Sequence, residues 1–277
     1  MSSPPLRKKI SSHDGIELYY ERHGPRTNEP PLFFLHGIGG DLDAWRFVRD
    51  AFLEKGFSTI AMDLRGHGYS THPRARERYR IENFVEDVVA ILDSEKIEKV
   101  HLVGHCFGAV IAAHVALARP ERLERLAIIS GTYGPPNYLR PRFMKAAANG
   151  FINAAAFVSP PPIYPGHSKY PTGKFHKDYE LFGLARTLLR NSWRSYLLTT
   201  EEIVNLDLEP KLGAIKTPTL VIAGEKDSIF PLPILERIHG GIPGSRFEVI
   251  PDANHVVVLN NVEHVVGALN DFLSGTQ

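Results

Sequence analysis

At residues 104–108 the chain reads Gly-His-Cys-Phe-Gly, between an apolar run at 99–103 and a helix-like run at 109–118 that stops before Pro120. The order Gly-x-Cys-x-Gly at a strand-to-helix corner matches Gly-x-Ser-x-Gly, in which the central serine is a nucleophile. Only glycine fits on both sides of so tight a turn, because a larger residue would collide with the neighbouring strand or helix. The segment therefore predicts a strained turn that presents the Cys106 sulfur to a ligand.

Cys106 is the chain's only cysteine. A lone cysteine is most often a small buried apolar residue, but the local sequence favours a reactive thiol. The unpaired N–H groups at the start of a helix attract anions and stabilise a thiolate. We therefore interpret Cys106 as a nucleophile. A single cysteine forms no internal disulfide, which is typical of proteins in a reducing compartment.

The bulk composition is that of a globular protein. The chain has 277 residues, an apolar content of 43% and a formal net charge of +1, which suits one large domain or a domain with an insertion. The near-neutral charge predicts neither a nucleic-acid partner nor binding to an anionic membrane surface. The basic N-terminal residues have no apolar stretch after them, and no run is long enough to span a bilayer. We expect a cytoplasmic protein.

Short apolar runs alternate with amphipathic helical segments along most of the chain. Residues 6–23 are predicted to form a hairpin, and residues 32–35 are a continuous apolar run, typical of a strand covered on both faces. Apolar residues recur at helical spacing at 81–92, and another apolar run lies at 126–130. This alternation predicts an α/β fold, with a mostly parallel sheet and helices on both faces.

The alternation stops between residues 134 and 210. Nine of the chain's 21 prolines lie there, with helical patterns near 143–157 and 179–199. The segment falls between two core strands, just beyond the strand ends where such sheets bind ligands. We predict a core domain of residues 1–133 and 211–277 with a helical lid of residues 134–210. An inert surface insertion is the alternative.

The second helical pattern supplies the candidates for the substrate pocket. From it we select three large apolar side chains as candidates: Phe182, Leu188 and Trp193. The sequence does not distinguish residues that face a pocket from residues that pack on the core. We predict that these three bind substrate and determine substrate preference.

A thiol nucleophile needs a base, and the base needs a carboxylate that orients it. Asp227 ends the sequence Gly-Glu-Lys-Asp after one predicted strand, and His255 ends Asp-Ala-Asn-His after the next. Because parallel strands end at the same edge of a sheet, we expect Cys106, Asp227 and His255 to meet there. Asp252 is the rival acid. Because it lies only three residues before His255, it is a better candidate for shaping that loop than for orienting the ring.

An acyl-transfer site also needs two hydrogen-bond donors for the oxyanion. We assign the backbone N–H of Phe107, which follows the nucleophile, and that of Ile38, in the loop His-Gly-Ile-Gly-Gly at 36–40. His36 begins that loop and is a candidate for contact with substrate. The loop lacks the lysine and Ser/Thr of a phosphate-binding loop, and no histidine cluster has the spacing of zinc ligands. We expect neither a metal nor an organic cofactor.

Three further histidines are interpreted as packing residues. His101 and His114 fit the interior of the predicted strand and helix around the nucleophile. His105 lies within the turn, and its ring should lie beside or under the nucleophile.

Together these motifs resemble the α/β-hydrolase family, in particular its lidded members: small esterases, C–C bond hydrolases, perhydrolases and haloalkane dehalogenases. The resemblance rests on the 36–40 loop, the sequence Asp-Leu-Arg-Gly-His-Gly-Tyr-Ser at 63–70, the nucleophile turn, and the segments that contain Asp227 and His255. It implies a mostly parallel eight-stranded sheet with a helical lid. The 63–70 segment shapes a loop beside the pocket in that family, and we assign it no chemical role.

The departure from the family is the cysteine at the position of the usual serine. Related dehalogenases have an aspartate there, so dehalogenation is disfavoured. Dienelactone hydrolases and polyhydroxyalkanoate synthases have a cysteine in a similar turn, although the synthases are considerably longer. A thiolate attacks activated acyl groups well but expels amide nitrogen poorly, so esters, lactones and thioesters are better candidates than peptides. A serine esterase in which cysteine replaces the serine is a further alternative.

The expected function is the hydrolysis of a small, largely apolar carboxylic ester, thioester or lactone, with no cofactor. Cys106 attacks the carbonyl, His255 takes its proton or pairs with the thiolate, and Asp227 orients His255. Two other functions stay open: transfer of the acyl group to an acceptor other than water, and ligand sensing with slow or no turnover. The intact acid and histidine argue against a pure sensor.

Overall fold

The computed structural model describes residues 6–136, 139–160, 162, 166–168, 170 and 192–275. The strands are β1 (Leu6–Ser11), β2 (Glu17–His23), β3 (Leu32–Leu35), β4 (Thr59–Met62), β5 (Val100–His105), β6 (Leu123–Ile129), β7 (Thr219–Gly224) and β8 (Arg246–Ile250). The α-helices of the described residues are α1 (Arg46–Glu54), α2 (Ile81–Glu95), α3 (Phe107–Ala118), α4 (Arg142–Val158), α5 (Trp193–Asn205), α6 (Leu232–Gly241), α7 (Val257–Asn260) and α8 (Val262–Leu273).

Within the described residues, the eight strands form one sheet in the order β1-β2-β4-β3-β5-β6-β7-β8. β1 and β2 form the predicted antiparallel hairpin, and β2 pairs antiparallel with β4. The remaining pairs, from β4 through β3, β5, β6 and β7 to β8, are parallel. The predicted α/β fold with a mostly parallel eight-stranded sheet is confirmed.

Two apolar layers cover the sheet. Phe84 of α2, Ile111 of α3 and Leu235 of α6 belong to the layer on one face. Phe52 of α1 and Leu269 of α8 belong to the layer on the other face. Because helices cover both faces, β3, β4 and β7 are buried at every position. The carboxyl ends of the parallel strands lie along one side of the sheet. Cys106, Asp227 and His255 follow β5, β7 and β8 on this side.

In the part of the predicted lid that the structure describes, the regular secondary structure is helical. The helical pattern near 143–157 corresponds to α4, and α4 packs against α5. Of the second pattern, residues 179–191 lie outside the described residues, and α5 begins at Trp193. The division into a core and a 134–210 lid stays a prediction. No helix in the described ranges is both long and apolar enough to cross a membrane.

A buried ion pair fastens the 63–70 segment to α2. The side chains of Arg65 and Asp87 are both completely buried. They are joined by two hydrogen bonds, of 2.6 Å from Arg65 Nε and 2.5 Å from an Arg65 terminal nitrogen. Asp14 accepts a further bond from Arg65 at 2.9 Å, and the Ser12 hydroxyl donates to Asp87 at 2.5 Å. Planar guanidinium groups suit such bidentate pairing.

Removing one partner of this pair should destabilise the fold strongly. Asp87→Ala leaves the Arg65 guanidinium buried without its main partner, so we expect the free energy of unfolding to fall by about 3–5 kcal/mol. Glu124→Ala is the matched control, because it breaks the exposed Lys99–Glu124 pair and should cost at most about 1 kcal/mol. Chemical denaturation measures both. Equal losses in the two variants would contradict the prediction.

Candidate active site

β5 and α3 meet at Cys106, whose backbone has φ 56° and ψ −118°. Such a positive φ is costly for a residue other than glycine, and strain of this kind concentrates at functional sites. A Cβ on Gly104 would overlap the Gly108 carbonyl, and a Cβ on Gly108 would overlap the Leu35 carbonyl. The Cys106 N–H donates to the Ile129 carbonyl at 3.0 Å. The strained turn is therefore present, and close backbone contacts explain both of its glycines.

The 36–40 loop packs directly on Cys106, which is partly exposed. A Cβ on Gly37 would lie 2.8 Å from the Cys106 Cβ and 3.3 Å from its Sγ. Among the residues that the structure describes, the backbone N–H groups of Ile38 and Phe107 have no acceptor. Phe107 begins α3, and the first N–H groups of a helix lack partners within it. Both groups therefore have the hydrogen-bonding capacity that an oxyanion requires.

Asp227 lies just beyond β7, with its side chain 1% exposed. Oδ1 accepts the backbone N–H groups of Ile229 at 2.9 Å and Phe230 at 2.8 Å. Oδ2 accepts the Nδ1–H of His255 at 2.9 Å. With both oxygens held, the carboxylate has one orientation, and it fixes the proton of a neutral His255 on Nδ1. The other ring nitrogen, Nε2, is then the one that exchanges a proton.

The His255 ring is buried between two other rings and faces Cys106. The ring centroids of His105 and Phe230 lie 5.0 Å and 5.4 Å from that of His255. Burial alone lowers the pKa of a histidine, but the charge on the Cys106 sulfur and hydrogen bonds with Asp227 and Cys106 raise the pKa of His255 to about 10. This environment favours the protonated form of the His255 ring.

Removing the sulfur should lower the pKa of His255. In Cys106→Ala the bond with Asp227 remains, whereas the attraction and the hydrogen bond of the sulfur are lost. We therefore expect the pKa of the His255 ring, followed by NMR, to fall below the value of about 10 in the unmodified protein. An unchanged pKa would show that Asp227 alone sets it.

The rival acid, Asp252, has a different environment. Its side chain is 80% exposed and pairs with the Lys226 ammonium at 2.5 Å. Its backbone N–H donates to the Glu225 carboxylate at 2.9 Å. Asp252 therefore shapes the loop before His255, whereas Asp227 contacts the His255 ring.

Both ring nitrogens of His36, the predicted substrate contact, bond to the backbone. Its ring is buried, its Nδ1–H donates to the Gly37 carbonyl at 2.8 Å, and its Nε2 accepts the Leu64 N–H at 3.0 Å. Burial lowers the pKa of His36 well below its usual value, so the ring is neutral. Because both nitrogens bond to the backbone, the ring has no polar atom left for a substrate. His36 positions the 36–40 loop.

His67 supports the same loop, a role for which its local sequence gives no signal. The Gly39 N–H donates to His67 Nε2 at 3.1 Å, and His67 Nδ1–H donates to the Arg65 carbonyl at 3.1 Å. Burial lowers the pKa of His67 to about 4, and its ring meets that of His36 edge-on at 5.2 Å. Two neutral histidines thus connect the 63–70 segment to the loop beside Cys106.

Two buried aspartates hold part of the predicted lid against the core. Asp63 accepts the Nε2–H of His167 at 2.7 Å. Asp41 accepts the Ser168 N–H at 2.6 Å and the Tyr170 hydroxyl at 3.3 Å. Burial, together with the nearby Asp63, raises the pKa of Asp41 to about 7. These contacts give no local signal in the sequence, because Asp63 and His167 lie 104 positions apart.

Trp193, Phe182 and Leu188 stay predictions for substrate binding. Trp193 is the first residue of α5 and is 45% exposed. Phe182 and Leu188 lie outside the described residues. In the described ranges, no three His, Cys, Asp or Glu side chains are arranged to hold a metal ion.

Comparison with known proteins places this arrangement in a family context. The chain matches the family model described as alpha/beta hydrolase fold over residues 30–161 and 177–262. Over 271 residues it is 30% identical to the provisionally named carbamate hydrolase RutD of Variovorax paradoxus, covering 94% of this chain and 97% of that protein. It is 26% identical to 3-oxoadipate enol-lactonase 1 of Acinetobacter baylyi, covering 97% of each chain.

A solved structure is similar over the same length. The enol-lactonase from Burkholderia xenovorans LB400 is 26% identical, with a TM-score of 0.75, and the match covers 96% of this chain and 100% of that chain. The likeness thus extends over almost all of each protein compared.

Proposed function

Since the chain belongs to the alpha/beta hydrolase fold family and is a hydrolase, we propose that it cleaves a small, largely apolar carboxylic ester, thioester or lactone. Cys106 is the nucleophile, His255 the base and Asp227 the residue that orients the base. The observation that carries the proposal is the continuous array of Asp227, His255 and Cys106, with the 2.9 Å bond between Asp227 and His255 at one end and the strained Cys106 at the other.

In the first half-reaction the Cys106 thiolate attacks the carbonyl carbon and forms a carbon–sulfur bond. The carbonyl oxygen becomes an oxyanion, which the N–H groups of Ile38 and Phe107 bind. The bond to the leaving alkoxide or thiolate then breaks, and that group takes the Nε2 proton of the His255 imidazolium. The product of this half-reaction is a thioester between the acyl group and Cys106.

In the second half-reaction His255 acts as the base. Its Nε2 takes a proton from water, and the oxygen of that water attacks the thioester carbonyl while the same two N–H groups bind the oxyanion. The carbon–sulfur bond breaks, which releases the carboxylic acid and restores the thiolate beside the imidazolium. Asp227 keeps the ring in one orientation through both steps.

The names of the relatives support an acyl substrate of this kind. One relative is named an enol-lactonase and another is provisionally named a carbamate hydrolase. Lactones and carbamates therefore belong in the same substrate series as simple esters and thioesters. The chemistry of a sulfur nucleophile favours the members with good leaving groups.

The test is a substrate series with detection of the covalent intermediate. Aryl and alkyl esters, thioesters, lactones and carbamates of two to ten carbons are each incubated with the protein, and intact-mass spectrometry follows the chain. We expect product formation and a mass increase equal to one acyl group on Cys106. Neither product nor adduct with any member would contradict the proposal and would favour a sensing role.

The same series separates hydrolysis from acyl transfer. Each reaction is repeated with an added alcohol or thiol acceptor, and the ratio of transfer product to free acid is measured. Free acid as the main product supports hydrolysis. A transfer product that dominates at low acceptor concentration would assign the chain to acyl transfer through the same intermediate.

We expect the lid to determine the preferred acyl-chain length. Trp193→Ala removes a large apolar side chain from the start of α5 and should change the ratio of rates for short and long acyl chains by about fivefold or more, which is the effect of about 1–3 kcal/mol from one apolar contact. Phe247→Ala is the control, because Phe247 lies on β8 and stacks on His239 in the core domain. Equal ratios in both variants and the unmodified protein would show that Trp193 is not a specificity residue.

A further inference from the structure

His105, next to the nucleophile, makes a hydrogen bond that reaches the base. Its Nε2–H donates to the backbone carbonyl of His255 at 2.8 Å. The His105 ring is tilted by 44° against the His255 ring, and its other neighbour is Trp45, which meets it edge-on at 6.5 Å. The position of His105 within the turn predicts a packing residue beside the nucleophile. Its ring is indeed buried, but its polar contact is with the loop that carries the base.

The His105 ring is neutral, and its tautomer follows from its partner. Burial, together with the nearby charge of His255, lowers the pKa of His105 to about 3. A carbonyl oxygen only accepts hydrogen bonds, so the proton of the neutral ring lies on Nε2. A neutral donor can hold the His255 backbone without placing a second positive charge beside the imidazolium.

The His255 backbone needs such a restraint because it belongs to a loop. β8 ends at Ile250, and α7 begins at Val257. The Lys226 N–H donates to the Ala253 carbonyl at 2.8 Å and so holds the first part of this loop. The peptide groups closer to His255 depend on other contacts. His105 binds the carbonyl of the reacting residue itself, and His105 is covalently bonded to Cys106. The His105 side chain therefore links the residue before the proposed nucleophile to the backbone of the proposed base.

From this geometry we infer that His105 is a positioning residue, which aligns the His255 ring with the Cys106 sulfur. The inference rests on the proposed function, because it assigns His105 a role in the reaction of that pair. The reaction needs the sulfur and the His255 Nε2 at a fixed distance and angle, and a displacement of about 1 Å lowers rates by about 100-fold. Asp227 fixes the orientation of the His255 ring, and His105 fixes the position of its backbone.

The test uses three variants of the full chain. His105→Phe keeps a ring against Trp45 and His255 but removes the donor. His105→Gln keeps an N–H donor at a similar distance from the backbone. His101→Gln is the matched control, because His101 is a largely buried neutral histidine of the same strand, with burial lowering its pKa to about 4.

The readout is the rate of alkylation of Cys106 by iodoacetamide between pH 5 and pH 9, which needs no substrate. We expect the alkylation rate of His105→Phe at pH 6 to be lower than that of the unmodified protein by about tenfold or more. Its pH profile should approach that of an unassisted thiol. His105→Gln should recover most of the rate, and His101→Gln should match the unmodified protein. Thermal melting of each variant separates this effect from loss of fold, and His105→Met replaces His105→Phe if the latter does not fold.

Two different failures are distinguishable in this experiment. If the unmodified protein is alkylated at pH 6 no faster than free cysteine, the thiolate–imidazolium pair is absent and the proposed function fails with it. If the unmodified protein reacts fast, and a folded His105→Phe or His105→Met reacts equally fast with the same pH profile, only the positioning role of His105 is overturned.

Discussion

Cys106→Ala should lose turnover of every acyl substrate that the unmodified protein cleaves, by about 10⁴-fold or more. The size of the loss follows from the removal of the group that forms the covalent bond, since loss of one member of a cooperating triad removes most of its contribution. The variant should fold, because alanine is smaller than cysteine and Cys106 is partly exposed. Initial rates and thermal melting measure the two properties.

A chemical modification tests the same residue independently. Iodoacetamide should add a single carbamidomethyl group per chain, because Cys106 is the only cysteine, and the labelled protein should be inactive. A labelled or Cys106→Ala protein with full activity would exclude Cys106 as the nucleophile.

Cys106→Ser distinguishes a native cysteine site from a converted serine site. The hydroxyl group depends more strongly than the thiol on a base that removes its proton. If the site is built for sulfur, Cys106→Ser should be much slower than the unmodified protein on thioesters and esters alike. A faster Cys106→Ser variant would favour the interpretation of a serine esterase in which cysteine replaces the serine.

Asp227→Asn should lower the rate by about 10²–10⁴-fold, whereas Asp252→Asn should stay within about twofold of the unmodified protein. The asparagine can still accept the N–H groups of Ile229 and Phe230 through its oxygen. Its amide nitrogen then faces His255 Nδ1 as a donor, which favours the wrong tautomer of the ring. Asp252 only pairs with Lys226 at the surface, so its replacement leaves His255 unchanged.

Steady-state rates of both variants with one ester and one thioester decide the assignment. His255 titration by NMR adds a second readout, since Asp227→Asn should also lower the pKa of His255 from about 10. Equal losses in the two variants, or a larger loss in Asp252→Asn, would show that Asp227 is not the carboxylate that orients His255.

The sequence predicted those features that depend on neighbours along the chain. The turn around Cys106 follows from the glycines at 104 and 108, and Asp227 and His255 each come after a predicted strand, β7 and β8. Parallel pairing then brings Asp227 and His255 to one edge, where the structure joins them by a hydrogen bond. Local pattern and sheet topology were sufficient to bring these two residues together.

The sequence did not predict the contacts that depend on distant partners. The local pattern at His36 predicts contact with substrate, and the structure shows that its ring also accepts the N–H of Leu64, 28 positions away. The local pattern at His105 predicts packing, and the structure shows that its ring also binds the carbonyl of His255, 150 positions away. A histidine in a buried segment has the same local pattern whether its nitrogens bind backbone, substrate or nothing. Only the folded arrangement shows which of these partners is present.

The positive φ at Cys106 lowers stability, whereas the sulfur at this position is the proposed reactive group. Thermal resistance and chemistry therefore have opposite requirements at position 106. Strain of this kind costs about 1–3 kcal/mol, and glycine adopts a positive φ without it. Selection for heat tolerance alone would therefore favour glycine at position 106 and discard the sulfur. An engineering programme that aims at a more durable form of this hydrolase must screen for turnover in every round, because the most direct gain in stability at this turn removes the proposed nucleophile.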